Sequence, residues 1–352
     1  MALNTISSER LSTNVKTSNL GTELKKKVGQ NKNIVINGDM QVAQRGTSST
    51  SSGYKTVDRF AVYHSGTDEA STQAQVDVAS GTTPYTLGFR KALKVTNGNQ
   101  TSGAGAGDYI FIRTILEAQD MASSGWNYTS SSSYITLSFW IKSSVAQNFY
   151  GYLRSLDGTA QGYPFETGSL SADTWTKITK TIPGASNVQF DNDANGGLEV
   201  VVAPFWGTDY TGSVSLNAWA AFSSSVRTPD YGSSNDDWYL TNDATLEITG
   251  VQLEVGSVAT DFEHRTEAEE ALRCKRYYIS STDFHYICVN NGESDRWIRF
   301  MVEMRDAPTV TTSPTNSVSF AAQNQTKHGF AGNGSGASLA NFNLPWTAEA
   351  EL

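Results

Sequence analysis

The 352-residue sequence predicts an all-β protein, a jelly roll or other β-sandwich, and three observations support this prediction. Only 17% of the residues are charged, and Gly, Ser, Thr and Asn fill much of the rest, which favours many strands joined by polar turns over long helices. From residue 33 to residue 262, apolar and polar side chains alternate in short segments bounded by turn residues. No helical pattern intervenes between these segments, so packed sheets are favoured over an α/β arrangement.

The first element is a helical pattern confined to residues 1–32. Apolar residues recur there mostly four positions apart, although Gly21 interrupts the pattern. Because an isolated helix of this length is marginal in water, we expect it to pack on another protein or on sister chains, as an attachment or oligomerisation arm. A frayed, partly ordered arm is the alternative. The apolar residues of the arm are Leu11, Val15, Leu20, Leu24 and Val28.

The body of the fold begins at NIVINGDMQVAQRG, residues 33–46. Ile34, Val35 and Ile36 make both faces of this stretch apolar, which predicts a strand buried between two layers. Asn37-Gly38 supplies a backbone that accepts a positive φ, so the strand is expected to end or bend there.

The clearest strand is YITLSFWIKSS, residues 134–144. Alternation places four apolar side chains on a core face and leaves Trp140 on the opposite face. The core-facing residues are Ile135, Leu137, Phe139 and Ile141. The segments NFYGYLRSLDG, TWTKITKTIPG, GLEVVVAPFWG and ATLEITGVQLEVG predict further strands, and residues 46–53 and 129–133 are predicted loops.

Residues 263–352 are predicted to form a short helical connector and a small β-domain. The segment TEAEEALRCKRYY places glutamates before arginines and lysines, the order that favours a helix. RWIRFMVEMRDAPTV alternates strictly and predicts a strand, with Ile298, Phe300, Val302 and Met304 on one face. A domain this small buries a low fraction of its surface, so we expect copies of the chain to share burial.

Charge and composition exclude several classes of function. A formal net charge of −9 argues against a nucleic-acid partner, because phosphate binding depends on Lys and Arg. Cys274 and Cys288 are too few for a zinc site or a disulfide framework, and free thiols are expected, with a single bridge as the alternative. The sequence shows neither a signal-peptide pattern nor an apolar run long enough for a membrane span, so we expect synthesis in a cytoplasm without export.

Several segments, in this order along the chain, resemble tail-fibre and related virion proteins of bacteriophages, especially marine ones. They are NIVINGDMQVAQRG, VDRF at residues 57–60, YITLSFWIKSS, TWTKITKTIPG, and GVQLEVGSVATDFEHRT leading to CKRYY. The resemblance covers most of residues 33–280 and implies a carbohydrate-binding-module-like jelly roll. In that fold residues 33–46 would supply the first strand and GVQLEVG the closing strand.

The same resemblance implies a place in the virion and two kinds of partner. The arm would attach the chain to other virion proteins, and the jelly roll would contact a glycan on the host surface. Fibres are commonly trimeric, so the resemblance, the arm and the small C-terminal domain together predict a homotrimer.

The sugar-binding residues expected in such a jelly roll are aromatic side chains with polar neighbours. Flat aromatic faces pack against the C–H groups of a pyranose ring, and amides or carboxylates bond its hydroxyls. Trp140, Tyr150 and Tyr152 are preferred because alternation places them opposite the core-facing set, although filling of the core is the alternative for each aromatic residue. The full candidate set is Trp140, Tyr150, Tyr152, Trp126, Trp206 and Asp157.

The segment DNDANGG, residues 191–197, begins like a calcium loop, with oxygen ligands at alternate positions before glycine. The candidate ligands are Asp191, Asp193, Asn195 and Glu199. The twelfth position is Val202 where such a loop has an acid, so a polar turn without metal is the alternative. Apart from this structural calcium, no cofactor is expected.

The sequence contains no recognisable catalytic motif. None of its four histidines, at positions 64, 264, 285 and 328, lies beside a nucleophile motif, and no GxSxG, HExxH or P-loop pattern occurs. The predicted function is therefore that of a non-enzymatic virion structural protein, a tail fibre or receptor-binding appendage that contacts host glycan. A head fibre or capsid decoration protein is one alternative, and a glycan depolymerase is the enzymatic one.

Overall fold

The computed structural model describes residues 32–231, 236–281, 285–287, 296–314, 319–335 and 341–352. The predicted arm, with Leu11, Val15, Leu20, Leu24 and Val28, lies outside these residues, and so does Cys288. Cys274 is a buried free thiol, as predicted for it. Within the described residues, no helix has both the length and the apolar character needed to cross a membrane.

Short strands joined by turns dominate the described chain. The first group comprises β1 (Ser48–Ser49), β2 (Ala61–Ser65), β3 (Thr72–Asp77), β4 (Lys91–Thr96), β5 (Tyr109–Glu117), β6 (Tyr134–Ser143), β7 (Asn148–Ser155), β8 (Gln161–Ser169), β9 (Thr176–Pro183), β10 (Gly196–Trp206), β11 (Ala220–Ala221) and β12 (Thr245–Val255). The second comprises β13 (Tyr278–Ser281), β14 (His285–Ile287), β15 (Arg296–Arg299), β16 (Thr309–Thr312), β17 (Ser319–Thr326), β18 (Gly329–Ser335), β19 (Asn341–Asn343) and β20 (Trp346–Glu349). The helices are α1 (Thr83–Thr86), α2 (Ala118–Ala122), α3 (Asp237–Leu240) and α4 (Glu267–Cys274), with a 3₁₀ helix at Thr208–Tyr210.

Two six-stranded sheets form a sandwich. Sheet 1 has the strand order β1-β3-β4-β12-β6-β9, and sheet 2 has the order β11-β8-β7-β10-β5-β2. Neighbouring strands within both sheets are antiparallel. Inward-facing side chains of both sheets share one large apolar core. The predicted all-β jelly-roll sandwich is therefore confirmed.

Strand β6 shows how alternation builds this core. Its four predicted core-facing residues are at most 1% exposed, whereas Tyr134, on the opposite face, is 37% exposed. Inward and outward side chains alternate because successive residues of a strand point to opposite sides of the sheet. The four other segments quoted as strands also form strands, β7, β9, β10 and β12.

The prediction of a first strand at residues 33–46 is wrong. This stretch runs beside β12 as bends and turns, and a hydrogen bond of 3.0 Å joins Ile34 N to Leu253 O. The Asn37 side chain supplies the local bonding, because its amide accepts from Val42 N at 2.9 Å and donates to the carbonyls of Val42 and Asp58. These side-chain bonds replace a ladder and allow the positive φ of 59° at Asn37.

The predicted connector helix is confirmed as α4. It begins with a capping box in which Thr266 Oγ1 accepts from Glu269 N at 3.3 Å and Thr266 N donates to the Glu269 carboxylate at 3.0 Å. The buried Glu270 accepts from Arg265 at 2.7 Å and from Asn37 N at 2.8 Å. These bonds attach the helix to the chain that enters the sandwich.

The described residues after α4 form small sheets with the orders β13-β20-β16, β14-β19 and β15-β18-β17. Their apolar cluster includes Ile298, Met304, Phe330 and Trp346. The long strand predicted from RWIRFMVEMRDAPTV is wrong in length, because β15 ends at Arg299. Residues 300–308 continue as bends, and their alternating apolar residues pack on the cluster without a ladder.

Buried charges join this C-terminal region to the sandwich. Glu351 forms ion pairs with Arg59 and, at 3.1 Å, with Arg45. The Arg276 guanidinium donates to the buried Glu117 carboxylate at 2.7 and 2.8 Å. All three arginines and both carboxylates are more than two-thirds buried at the side chain, so these pairs fix the two regions together.

Candidate functional site

A cavity of about 250 Å³ lies on the outer face of sheet 1, between the sheet and residues 256–264. Its walls combine aromatic rings with a few polar side chains, the lining expected of a small-ligand site. We refer to it as the Trp140 cavity. It is lined by Leu87, Phe89, Ser138, Trp140, Lys177, Gly250, Thr260, Asp261, Phe262 and His264.

Trp140 contributes a half-buried indole to the wall of this cavity. Its neighbours Phe139 and Ile141 point into the core, so strand parity turns Trp140 outward. There it packs beside a small apolar cluster of Val78, Phe89 and Ala92. This cluster supports one side of the indole while the cavity leaves another side accessible.

Gly250 gives the cavity its floor. It has a φ of +64° and lies in an irregular step of β12, where the register with β6 shifts between Thr249 and Gln252. A Cβ atom at this position would lie 2.7 Å from the Phe89 ring and 3.2 Å from Trp140 Cδ1. Glycine is therefore needed both for the backbone conformation and for the approach of the two rings.

Hydrogen bonds hold residues 256–264 over the sheet. Thr136 Oγ1 donates to Gly256 O at 2.7 Å, and Thr260 N donates to the Glu254 carboxylate at 2.8 Å. Glu263 N donates to Gln252 Oε1 at 2.8 Å. The roof of the cavity is thus bonded to side chains of β6 and β12.

His264 and Phe262 close the roof against Phe89. The ring centroids of Phe89 lie 4.9 Å from Phe262 and 5.1 Å from His264. His264 Nε2 lies 2.8 Å from Leu87 O, and since a carbonyl oxygen only accepts, Nε2 carries the proton. This bond fixes the His264 ring against the wall of the cavity.

The lining can hold a small polar ring with apolar faces. The Trp140 indole offers a flat surface for C–H groups and Ser138 offers a hydroxyl group, whereas the Thr260 hydroxyl already bonds Lys32 Nζ and the Glu254 carboxylate. Lys177 adds a cation at the exposed side. This combination suits a sugar residue better than a purely apolar ligand.

The other aromatic candidates are buried, which corrects the expectation that their rings face ligand. Tyr150 and Tyr152 do lie on the face of sheet 2 opposite the main core, as alternation predicts. That face is covered by residues 207–231, however, where Tyr231 packs edge-on to Tyr150 and Phe222 packs on Tyr152. Trp206 belongs to the same covered cluster.

Trp126 and Asp157 lie elsewhere. Trp126 is part of the main core, where it packs with Tyr128 and Phe190. Asp157 accepts a hydrogen bond from Asp191 N at 2.9 Å, and burial raises the pKa of its carboxyl. Of the six predicted sugar-binding residues, Trp140 is therefore the one in the Trp140 cavity.

A second cavity of about 440 Å³ lies at the end of sheet 2, beside Trp206 and Tyr231. Both rings are at most 4% exposed, so neither presents a face on which a sugar could stack. This cavity lacks the accessible indole that the Trp140 cavity has.

The structure does not gather the four predicted calcium ligands. Glu199 lies on sheet 2 between Arg113 and Arg154, at 3.5 and 3.4 Å, which explains its burial as part of a charge cluster. Asp193 accepts from Asn195 N at 2.9 Å, as expected for a polar turn. In the described part of the chain, no group of three or more His, Cys, Asp or Glu side chains is arranged to hold a metal ion.

Sequence reasoning missed several residues of the Trp140 cavity. Phe262 and His264 belong to an irregular segment without periodicity. Phe89 lies in the short connection between α1 and β4, which also has no periodic pattern. Lys177 could have been considered from the sequence, because it lies in the predicted strand β9. The structure pairs β9 with β6, the strand whose alternation predicts an outward Trp140. The register that places Lys177 opposite Trp140 comes from the structure.

No protein-family model matches the chain, and no curated protein matches it in sequence. Among solved structures, it is similar to the enzymatically active domain of tailspike protein 4 of bacteriophage CBA120, with 10% identity over 64% of this chain and 22% of that chain and a TM-score of 0.32. It is also similar to a protein of Bacteroides thetaiotaomicron described as sugar-binding, with 11% identity, coverage of 64% and 100%, and a TM-score of 0.34.

A third similar structure is the N-terminal cellulose-binding domain of a β-1,4-glucanase from Cellulomonas fimi. The identity is 11%, the coverage is 62% of this chain and 99% of that domain, and the TM-score is 0.29. Similarity at this level establishes no family. The sandwich is assigned from its own sheets, and the site from its own side chains.

Proposed function

We propose that this chain is a glycan-binding structural protein of a bacteriophage virion, a tail fibre or receptor-binding appendage, and that the Trp140 cavity holds the glycan. The observation that carries the binding proposal is the half-buried Trp140 indole in a cavity that also contains hydroxyl, carboxylate and ammonium groups. An accessible aromatic face next to convergent polar groups is the physical requirement for binding a sugar ring.

The virion role is supported by the resemblance of several ordered segments to phage tail-fibre proteins. One of them, GVQLEVGSVATDFEHRT, contributes Gly250 together with the roof residues 256–264 of the cavity. A head fibre or decoration protein would use the same cavity from a different position in the particle. Labelling the chain with a gold-tagged antibody in micrographs of intact phage distinguishes tail from head.

The proposed activity is binding without cleavage. Each cavity is small, so a single site is expected to bind weakly, and several copies on one particle compensate through multivalency. A homotrimer, anchored through the arm to other virion proteins, would supply such copies.

The binding proposal is tested by replacing Trp140 with alanine in the full chain. We expect Trp140→Ala to lower binding to host surface glycan at least tenfold, about 1.4 kcal/mol, because the stacking face is lost. Immobilised host lipopolysaccharide and a glycan array provide the measurement. Purified protein should leave the chain length of the glycan unchanged.

Tyr134→Ala is the matched control. Tyr134 projects from the same face of β6 but lies outside the Trp140 cavity, and it is 37% exposed. It should bind glycan as the unaltered protein does. Unchanged binding by a correctly folded Trp140→Ala variant would show that the cavity is not the site, and shortened glycan would favour the depolymerase alternative.

A further inference from the structure

We propose that the Trp140 cavity selects glycans that carry a negative charge, and that Lys177 is the residue that recognises this charge. The inference rests on the proposed glycan binding and names its substrate class. The shared chemistry is an anionic substituent on a sugar, a carboxylate or an esterified phosphate or sulfate.

The strand register places Lys177 beside the stacking surface. Lys177 on β9 is directly opposite Trp140 on β6, and both project from the outer face of sheet 1. Directly opposed side chains of antiparallel strands have Cβ atoms about 5 Å apart. A sugar stacked on the indole therefore has the ammonium group within reach of one edge of its ring.

Among the described residues, Lys177 has no carboxylate partner, unlike Lys142 and Lys91 of the same sheet; Lys94 also lacks one but lies outside the cavity. Lys142 pairs with Glu247 at 2.9 Å and Lys91 pairs with Asp77 at 2.6 Å, both on sheet 1. Among the residues that the structure describes, no carboxylate lies within ion-pair distance of Lys177. An anionic ligand would supply the missing counter-charge next to an indole that excludes water from one side.

A second tryptophan extends the surface along the same pair of strands. Lys142 Nζ lies 5.2 Å from the centre of the Trp175 ring, just before β9 begins. Trp175 is half-buried and packs beside the same apolar cluster as Trp140. The Lys142 charge is balanced by Glu247, and Lys32 Nζ bonds Thr260 and the main chain of Asp261 at the roof, so Lys177 is the cation directly opposite Trp140 on the sheet.

Titration calorimetry of the full chain with three oligosaccharides of equal length tests the inference. One is neutral, one carries uronic carboxylates, and one carries sulfate or phosphate esters. We expect at least a tenfold preference for an anionic ligand at low salt, reduced at 0.5 M salt by screening. The anionic ligand that binds more tightly identifies the substituent.

Lys177→Gln should remove this preference, so that the variant binds the neutral and anionic ligands with equal affinity. Lys94→Gln is the control of equal charge change, since Lys94 lies on β4 of the same sheet and outside the cavity. Equal affinity of the unaltered protein for neutral and anionic ligands, or a preference that survives Lys177→Gln, would overturn the inference while leaving the role of Trp140 standing. If none of the three ligands binds, both the proposed function and this inference fall.

Discussion

Gly250 controls the shape of the Trp140 cavity through the backbone. Gly250→Ala should lower the free energy of unfolding by about 2–4 kcal/mol, because it combines a positive φ with a contact of 2.7 Å to the Phe89 ring. Urea denaturation measures the loss. Gly81→Ala is the control, since Gly81 also has a positive φ but has nothing within 4 Å of a Cβ, so it should lose only about 1–2 kcal/mol.

Equal losses of unfolding free energy in the two variants would show that the Phe89 ring moves aside without cost. The close contact between Gly250 and Phe89 would then contribute nothing to stability. A larger loss at Gly250 should be accompanied by weaker glycan binding, because Phe89 and Trp140 would be displaced together. The two measurements, stability and binding, therefore report on the same contact.

For single residues, the sequence predicted which face of a strand each side chain occupies. It did not predict whether that face is covered by another part of the chain. The alternation in YITLSFWIKSS correctly places Trp140 outward, and the alternation around Tyr150 and Tyr152 correctly places both opposite the main core. Their burial depends on residues 207–231, which return from a distant part of the chain to cover sheet 2. No local pattern encodes such a return, so accessibility had to come from the structure.

The turn before β10 is closed by hydrogen bonds to aspartate side chains. Asp193 accepts from both the main chain and the side chain of Asn195, at 2.9 and 2.7 Å, and Asp157 accepts from Asp191 N. These bonds use the oxygens that a calcium ion would need. Addition of a chelator should therefore leave the melting temperature unchanged.

Differential scanning calorimetry with and without the chelator tests this prediction. The variant Asp193→Ala, which removes the hydrogen bonds of the turn itself, is measured alongside for comparison. A fall of several degrees with chelator that added calcium reverses would contradict the prediction. It would also restore the calcium loop inferred from DNDANGG.

Elements were predictable where the pattern was long and regular. The segments of β6, β7, β9, β10 and β12 were recognised because apolar residues repeat at period two between turn residues. Residues 33–46 carry an equally apolar pattern, but Gly38 approaches β12 so closely that a Cβ there would meet Val251 O at 2.0 Å. Hydrogen bonds of the Asn37 side-chain amide then replace the main-chain ladder of a strand. Periodicity alone does not predict this change in bonding.

On the scale of the whole molecule, Asp58 makes stability depend on pH. Its buried carboxylate lies beside Arg45, one of the arginines that pair with Glu351. It accepts a hydrogen bond from Gln44 N at 3.1 Å and lies 3.4 Å from the Arg45 guanidinium. Burial raises the pKa of Asp58 to about 6 from an ordinary value of 3.8, although Gln44 and Arg45 act in the opposite direction. The folded state therefore keeps a proton between these two pH values that the unfolded state releases.

It follows that Asp58 lowers the free energy of unfolding as pH rises from about 4 to about 6, by about 2–3 kcal/mol. Asp58→Asn should remove this contribution. The free energy of unfolding of the variant should therefore increase relative to that of the unaltered chain as pH rises over that interval. Urea denaturation at successive pH values measures it. Asp77→Asn, at an exposed position paired with Lys91, should show no comparable change, and parallel curves for Asp58→Asn and the unaltered chain would contradict the assignment.

The junction of Arg45 and Arg59 with Glu351 also has a consequence for biosynthesis. Arg45 and Glu351 are 306 positions apart, and all strands of the sandwich precede the carboxylate in the chain. A ribosome delivers residues in order, so a nascent sandwich has Arg59 before its counter-charge Glu351, whereas Arg45 already has Asp58 at 3.4 Å. The ion pairs of both arginines with Glu351 therefore form only after translation has passed residue 351.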